Sequence, residues 1–395
     1  MKKALALLLA AIMSLSLAAC SGTSPAASDS KTPDSVATTD QPASTEPIYI
    51  GLTDAFSGER AINGEYTKEG VELFLSEINA AGGVLGREVV VVYEDDQGTE
   101  ASATNAYQKL ISDNDVSAVV LNKYSSLVLA VEQFVAEAEI PAICSGSSVK
   151  LEALDNEYML STRRSDSGSG LTIAAYCEKL GATKVAILHA NDALGTGMAP
   201  VVASALAGYG IEVVSTQQFA TDEKNFAPYI AKIIDSGCDM LVSIAQTNEA
   251  PLIMRAVKDA GLDIPCIGSS ASAQSSTLQN AVGASEGWYS VTAFSPTISE
   301  GKAAEWIAKY EKMFGRAPDM TSATTYDALS MICWAIEEAG STDPKAINTA
   351  LHSIKDFEGI SSVFTYQGTP MLSTAEYVSQ VQNGESVVLE QVAAQ

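Results

Sequence analysis

The sequence predicts an α/β protein built as two doubly wound parallel-sheet lobes with a ligand cleft between them. Two series of short β-rich runs alternating with helical patterns follow one another, over residues 48–146 and then 169–269. Their central runs, such as VSAVVLN at 116–122 and DMLVSIA at 239–245, are continuously apolar instead of alternating. Strands of that kind belong to a parallel sheet covered by helices on both faces. A length of 395 residues is enough for two such cores.

The first series opens with the strand IYIGLTD at 48–54 and a helix over about 64–80, where Val71, Phe74, Leu75 and Ile78 share one face. Gly82 and Gly83 stop that helix. REVVVVYED (87–95), a helix over 100–112, VSAVVLN, a helix over 125–138 and IPAICSG (140–146) complete it. A connector near 158–168 leads to the second series: helix 169–180, KVAILHA (184–190), helix 196–209, IEVVSTQQF (211–219), helix 225–236, DMLVSIA, helix 249–260 and IPCIGS (264–269). GWYSVTAFSP (287–296) is extended, and helices follow at 301–314, 322–339 and 344–353. The Asn-Gly pair inside 375–392 predicts a terminal hairpin.

Residues 1–19 have the layout of a signal peptide: Lys2 and Lys3, then an apolar stretch. LAAC at 17–20 resembles the lipobox of bacterial lipoproteins, which makes Cys20 the lipid attachment site and implies membrane contact through that anchor. The following segment to residue 47 is rich in Ser, Thr, Pro, Ala and Asp and reads as a disordered tether. The formal charge is −25, and Lys and Arg are not clustered, so nucleic acid is excluded as a partner and the membrane is reached only by the lipid.

Familiar catalytic signatures are missing. The two histidines, His189 and His352, belong to no HExxH, and no CxxC, GxGxxG or GxxxxGK[ST] segment occurs. No cofactor or metal is implied. His189 ends a predicted strand, where a catalytic role requires a nucleophile or carboxylate from elsewhere. Glu94, Asp95 and Asp96 end another and read either as turn acids or as oxygen ligands of a cation. With Cys20 set aside, Cys144, Cys177, Cys238, Cys266 and Cys333 read as small buried hydrophobes; Cys238 with Cys266 is the pair to test for a disulfide.

A solute site is expected at the carboxyl ends of the strands. In the first lobe these are SGERAING (57–64), NKYSS (122–126) and SGSS (145–148), where hydroxyls and backbone N–H groups serve either as helix caps or as an anion cradle. In the second lobe they are HANDALGTG (189–197), AQTNE (245–249) and GSSASAQ (268–274).

The segments SG (57–58), NAAGGVLGR (79–87), EDDQ (94–97), IPAICSGSS, Asp166 in RRSD, GTG (195–197), NF (225–226), AGL (260–262), EGWY (286–289), FGRAPD (314–319), TYDA (325–328) and AIEEAGSTDP (335–344) follow in this order and mark a likeness that runs across roughly 47–383. The chain thereby resembles the type I extracytoplasmic solute-binding proteins of ABC importers, in particular the branched-chain amino-acid (Leu/Ile/Val) binding group. That resemblance implies interlaced lobes joined by three crossovers, near 163–168, 291–297 and 358–362. Residues 48–163 with 297–358 then form one lobe and 164–296 with 359–395 the other. It also implies closure on a solute, delivery to an ABC permease, no catalysis and an extracytoplasmic location.

For the site, the resemblance implies that an amino-acid carboxylate meets Ser125 and the Gly146, Ser147 and Ser148 loop, with the ammonium on a carbonyl and hydroxyl of that loop. Ser57, Ser126 and Asp192 complete the expected lining. Several positions depart from the family pattern: Asn63 replaces an aromatic, Leu194 and Gln246 replace tyrosines, and Ser270 replaces the glutamate that meets the ammonium. Tyr124 replaces a cysteine, and either stacks on the ligand or packs. A buried ammonium without its acid is costly. Either Asp192 or Glu249 takes that role, or the ligand is a related carboxylate and not a zwitterion. The same cleft also suits a sensor component that hands its closed form to a membrane receptor.

Overall fold

A computed structural model describes residues 46–393. The leader, Cys20 and most of the tether expected from the sequence lie outside the described residues. Among the described residues, no helix is long and apolar enough to cross a membrane.

The first lobe runs β1 (Ile48–Asp54), α1 (Ala61–Ala80), β2 (Val89–Asp95), α2 (Glu100–Asp113), β3 (Val116–Val120), α3 (Ser125–Ala138), β4 (Ala142–Cys144), α4 (Val149–Glu152) and β5 (Met159–Ser161). Its five strands are parallel, in the order β2-β1-β3-β4-β5. The second lobe runs α5 (Asp166–Lys179), β6 (Lys184–Ala190), α6 (Ala193–Gly208), β7 (Glu212–Phe219), α7 (Ala227–Asp235), β8 (Met240–Ile244), α8 (Ala250–Asp259), β9 (Cys266–Gly268), α9 (Ser275–Ala281) and β10 (Tyr289–Thr292). Its parallel strands repeat the same pattern, β7-β6-β8-β9-β10.

The chain then supplies α10 (Gly301–Phe314), α11 (Met320–Ala339), α12 (Pro344–Leu351), β11 (Phe357–Glu358) and β12 (Val363–Phe364). These return to the first lobe. Leu329, Ile332 and Ile336 of α11 and Ile347 of α12 join one buried cluster with Ile50 and Leu52 of β1 and Val91 of β2. Tyr107 and Leu110 of α2 and Leu127 and Val131 of α3 form a second cluster with Val119 and Ala142 from the same sheet. The two lobes are therefore interlaced, each sheet sandwiched by helices.

Finally β13 (Glu376–Gln382) and β14 (Glu385–Val392) add an antiparallel ribbon to the second sheet, β13 pairing with β10. Their turn residues Asn383 and Gly384 sit at φ 56° and 81°, left-handed values that this Asn-Gly pair adopts with little strain. The third passage between lobes falls later than the 358–362 expected. Phe364 and Leu372 still belong to the first-lobe core, and Ser161 bridges to Met371. The segment after β11 folds back as a hairpin, so the chain leaves the first lobe only between Leu372 and β13.

Candidate functional site

In each sheet the strand order reverses beside the first strand, between β1 and β3 and again between β6 and β8. Helices leave opposite faces there, and the loops part to leave a crevice at the carboxyl ends. The segments after these strands supply Asn63, Lys123, Asp192, Gln246 and Thr247, and the lobes meet across them. Asn63 Nδ2 donates to Thr247 Oγ1 over 3.3 Å, and Ser148 Oγ donates to the Ala193 carbonyl over 3.2 Å. Further in, Lys123 Nζ donates to Gln274 Oε1 over 2.7 Å, and Arg163 Nη2 to Ser270 Oγ over 3.0 Å.

The serine loop after β4 is fastened from below. Ser125 Oγ accepts both the Ser147 and Ser148 N–H groups at 3.1 Å, and the Ser161 hydroxyl donates to the Gly146 carbonyl over 2.6 Å. A Cβ on Gly146 would lie 2.8 Å from the end of the Leu151 side chain, which would have to turn aside. In the second lobe Asp192 caps α6 by accepting the Gly195 N–H at 2.9 Å and also receives Gln246 Nε2 at 2.8 Å. A Cβ on Gly195 would fall 2.1 Å from the Ala190 carbonyl, so only glycine lets α6 start this close to β6.

Two of the cavities along the cleft hold residues expected from the sequence. The outer one, of about 710 Å³, is lined by Arg60, Ser126, Lys150, Asp192 and Thr221 among others. The inner one, of about 10 Å³, is lined by Lys123, Ser125, Ser147, Arg163, Leu194, Gln246, Ser270, Ala271, Gln274 and Met320. That is room for about one water, so an organic solute enters only if the lobes part or the crossing side chains give way.

Five residues expected from the sequence therefore converge on the inner cavity: Ser125, Ser147, Leu194, Gln246 and Ser270. Asn63 stands one bond behind, its Oδ1 accepting Lys123 Nζ at 2.7 Å and its Nδ2 donating to Tyr124 OH at 2.7 Å. Tyr124 is buried, and the Arg60 guanidinium lies 4.0 Å from its ring centroid. Ser126 and Asp192 belong to the outer cavity. Ser57 is exposed and gives its hydroxyl to Asp95 over 2.6 Å.

Sequence reasoning missed Lys123, Arg163 and Gln274. Lys123 lies within the NKYSS segment, but hydroxyls rather than the lysine drew notice. Arg163 follows β5, a three-residue strand hidden in what reads as a connector. Applying the strand-end rule to every residue of a quoted loop would have found the lysine.

Burial pushes Lys123 down to about 8, against the opposing pull of Asp319 and Asp54, with Arg163 and Arg60 adding to the fall. Burial likewise lowers Arg163 and raises Asp166 to about 7. Neither Asp192 nor Glu249, the two acids considered for an ammonium, lines the inner cavity. Glu249 is buried and raised to about 7.

Elsewhere the acids and thiols are structural. Asp95 accepts the Phe56 and Gln97 N–H groups, Asp96 accepts the Gly98 N–H and the Asn122 amide, and Glu94 pairs with Lys109. Among the described residues, no cluster suited to a metal ion occurs. His189 bonds the Ala190 carbonyl through Nδ1 and is absent from the inner lining. Cys238 and Cys266 are free thiols, so the disulfide considered for them does not form; Cys144, Cys177 and Cys333 are also free.

Two interlaced, doubly wound lobes with a polar cleft at their switch points define a solute-binding protein of the type I periplasmic class. The chain belongs to the periplasmic binding protein family, whose sequence profile matches residues 47–385. It is 26% identical to Leu/Ile/Val-binding protein homolog 3 of Brucella melitensis over 349 residues, 87% of this chain and 94% of that one. Among solved structures it is similar to the branched-chain amino acid transporter substrate binding protein LivJ of Streptococcus pneumoniae in complex with isoleucine. That likeness has a TM-score of 0.82 at 26% identity, covering 88% of this chain and 100% of the other. A solute-binding protein of an ABC transporter from Rhodopseudomonas palustris, in complex with 3,4-dihydroxybenzoic acid, shares the fold. Its TM-score is 0.82 at 20% identity, covering 89% and 99% of the two chains. The two solved structures are binding proteins of transporters, and membership of the periplasmic family is in keeping with a non-catalytic, extracytoplasmic role.

Proposed function

We propose that this protein captures a small polar organic solute, an amino acid or a related carboxylate, and presents it in closed form to an ABC permease. The observation that carries the reading is the set of hydrogen bonds joining the strand-end loops of the two lobes around one buried cavity. A solute that bonds both sets of loops favours the closed arrangement by its differential affinity. On this reading Ser125, Ser147, Ser148 and Gly146 form the carboxylate-facing wall, and Gln246, Leu194 and Ser270 the opposite one. Asn63 and Tyr124 support the first wall from behind. Cys20 is proposed as the lipid anchor, and replacing it with serine should release the protein from the membrane without changing affinity.

A thermal-shift screen with amino acids, amides and carboxylates tests the reading, since a ligand specific for the folded state raises the melting temperature by mass action. Calorimetry on the hits should give one site per chain, and Ser125→Ala and Ser148→Ala should weaken it. Unchanged affinity in both variants would remove these serines from the site. Co-purification with a membrane receptor instead of a permease would favour the sensor role.

A further inference from the structure

The inner cavity carries an unusual charge pattern. Two of its lining residues are cations, Lys123 and Arg163, and none is an acid. Lys123 is 7% and Arg163 9% exposed. Every hydrogen bond from their side chains goes to a neutral acceptor: Lys123 Nζ to Asn63 Oδ1, Gln274 Oε1 and Thr321 Oγ1, Arg163 to Ser270 Oγ and the Ser145 carbonyl. Among the described residues neither has a carboxylate at ion-pairing distance. A buried cation without an ionic partner is costly, and an incoming anion relieves that cost.

The fold places the pair symmetrically about the serine loop. Strands β3 and β5 flank β4. Lys123 therefore emerges on one side of Ser145–Ser148 and Arg163 on the other. Three of the four nearby acids stand further back and are committed elsewhere. Asp54 accepts the Ala55 N–H and the Thr67 hydroxyl, and Asp319 caps α11. Glu376 is held by Ser169, Thr172 and Arg164. The fourth, Asp166, is buried near Arg163 and Ser147 with no well-formed hydrogen bond to either oxygen and no ion pair to Arg163; burial favours its neutral form, against the pull of Arg163 and Ser147.

Resting on the reading of the cleft as a solute site, we infer that the solute is a small organic carboxylate without an ammonium group, held between Lys123 and Arg163. An amino acid would bring its ammonium into a lining that already holds two positive charges and no acid. Ser125, Ser147, Gln246 and Gln274 supply neutral polar contacts, and Leu194, Ala271 and Met320 accommodate a short apolar body.

The test is calorimetric titration of the full protein with acetate, succinate, citrate and benzoate, beside leucine, glutamate, propionamide and dimethyl succinate. At least one simple carboxylate should bind, while its neutral ester and the amino acids do not. Lys123→Met and Arg163→Gln should each weaken it by about tenfold or more, with Lys123→Arg retaining part of the affinity. If a variant fails to fold, the comparison of acid with ester on the unaltered protein decides the matter. Binding of leucine, glutamate or the amide in place of simple carboxylates overturns the inference but leaves solute capture intact. Binding by none of these probes overturns the capture reading as well.

Discussion

Lys123, in the loop after β3 of one lobe, donates a 2.7 Å hydrogen bond to Gln274 in the other. The lysine is buried, and its remaining bonds go to Asn63 and Thr321 within its own lobe. One side chain thus ties the lobe interface to the floor of the cleft, and its charge state bears on both.

Affinity should depend on pH with a definite sign. Lys123 titrates near 8 because burial outweighs the attraction of Asp319 and Asp54, and Arg163 and Arg60 add repulsion. A bound anion favours the charged lysine, so affinity falls as pH rises through about 8. Asp166 becomes ionised as pH rises through about 7, with Arg163 opposing and Asp192 and Glu376 reinforcing its raised value. Its new negative charge also disfavours an anion. Calorimetry from pH 6 to 9 should show affinity for a carboxylate decreasing throughout, whereas an ammonium held by Asp166 or Glu249 would make affinity rise through pH 7.

Stability should carry the signature of Asp166. Its folded value of about 7 lies above the ordinary 3.8, so the folded state binds the proton more tightly. That contribution is fully present below about pH 4 and is lost as pH rises through 7. The difference in melting temperature between the wild type and Asp166→Asn should therefore shift against the wild type between pH 4 and 8. A pH-independent difference would mean that the acid is not protonated in the fold.

Much of the fold was legible because local and global signals agree. The helix expected over 125–138 is α3 and the strand expected at KVAILHA is β6, both found at those bounds. The site was less legible. Ser125 and Ser147 could be read as strand-end hydroxyls, but the role of Lys123 depends on Gln274, 151 residues away. Short elements such as β5 and β11 also escaped, since two or three residues have no periodicity. The third passage was misplaced for the same reason: the β11–β12 hairpin holds its place through the Phe364 contact with the first-lobe core, which no local pattern announces.

Helix α11, whose first turn borders the cleft, supplies a stability test. Asp319 caps it, accepting the Thr321 and Ser322 N–H groups at 2.8 and 3.2 Å, while the Ser322 hydroxyl takes the Asp319 N–H at 3.1 Å. Asp319→Ala should lower the urea-unfolding free energy by about 1–2 kcal/mol, as loss of a well-formed cap does. A change within about 0.3 kcal/mol, well below that range, would show that the cap carries little of the helix's stability.

Lobe closure around a solute is the central claim, and small-angle scattering tests it most directly. The inner cavity of about 10 Å³ is far below the roughly 300 Å³ and more of ordinary organic-ligand sites, and capture by closure requires that the lobes, and not only the crossing side chains, part to admit the solute. A calorimetrically confirmed ligand at saturation should reduce the radius of gyration relative to the ligand-free protein. Identical scattering curves with the site fully occupied would contradict capture by closure.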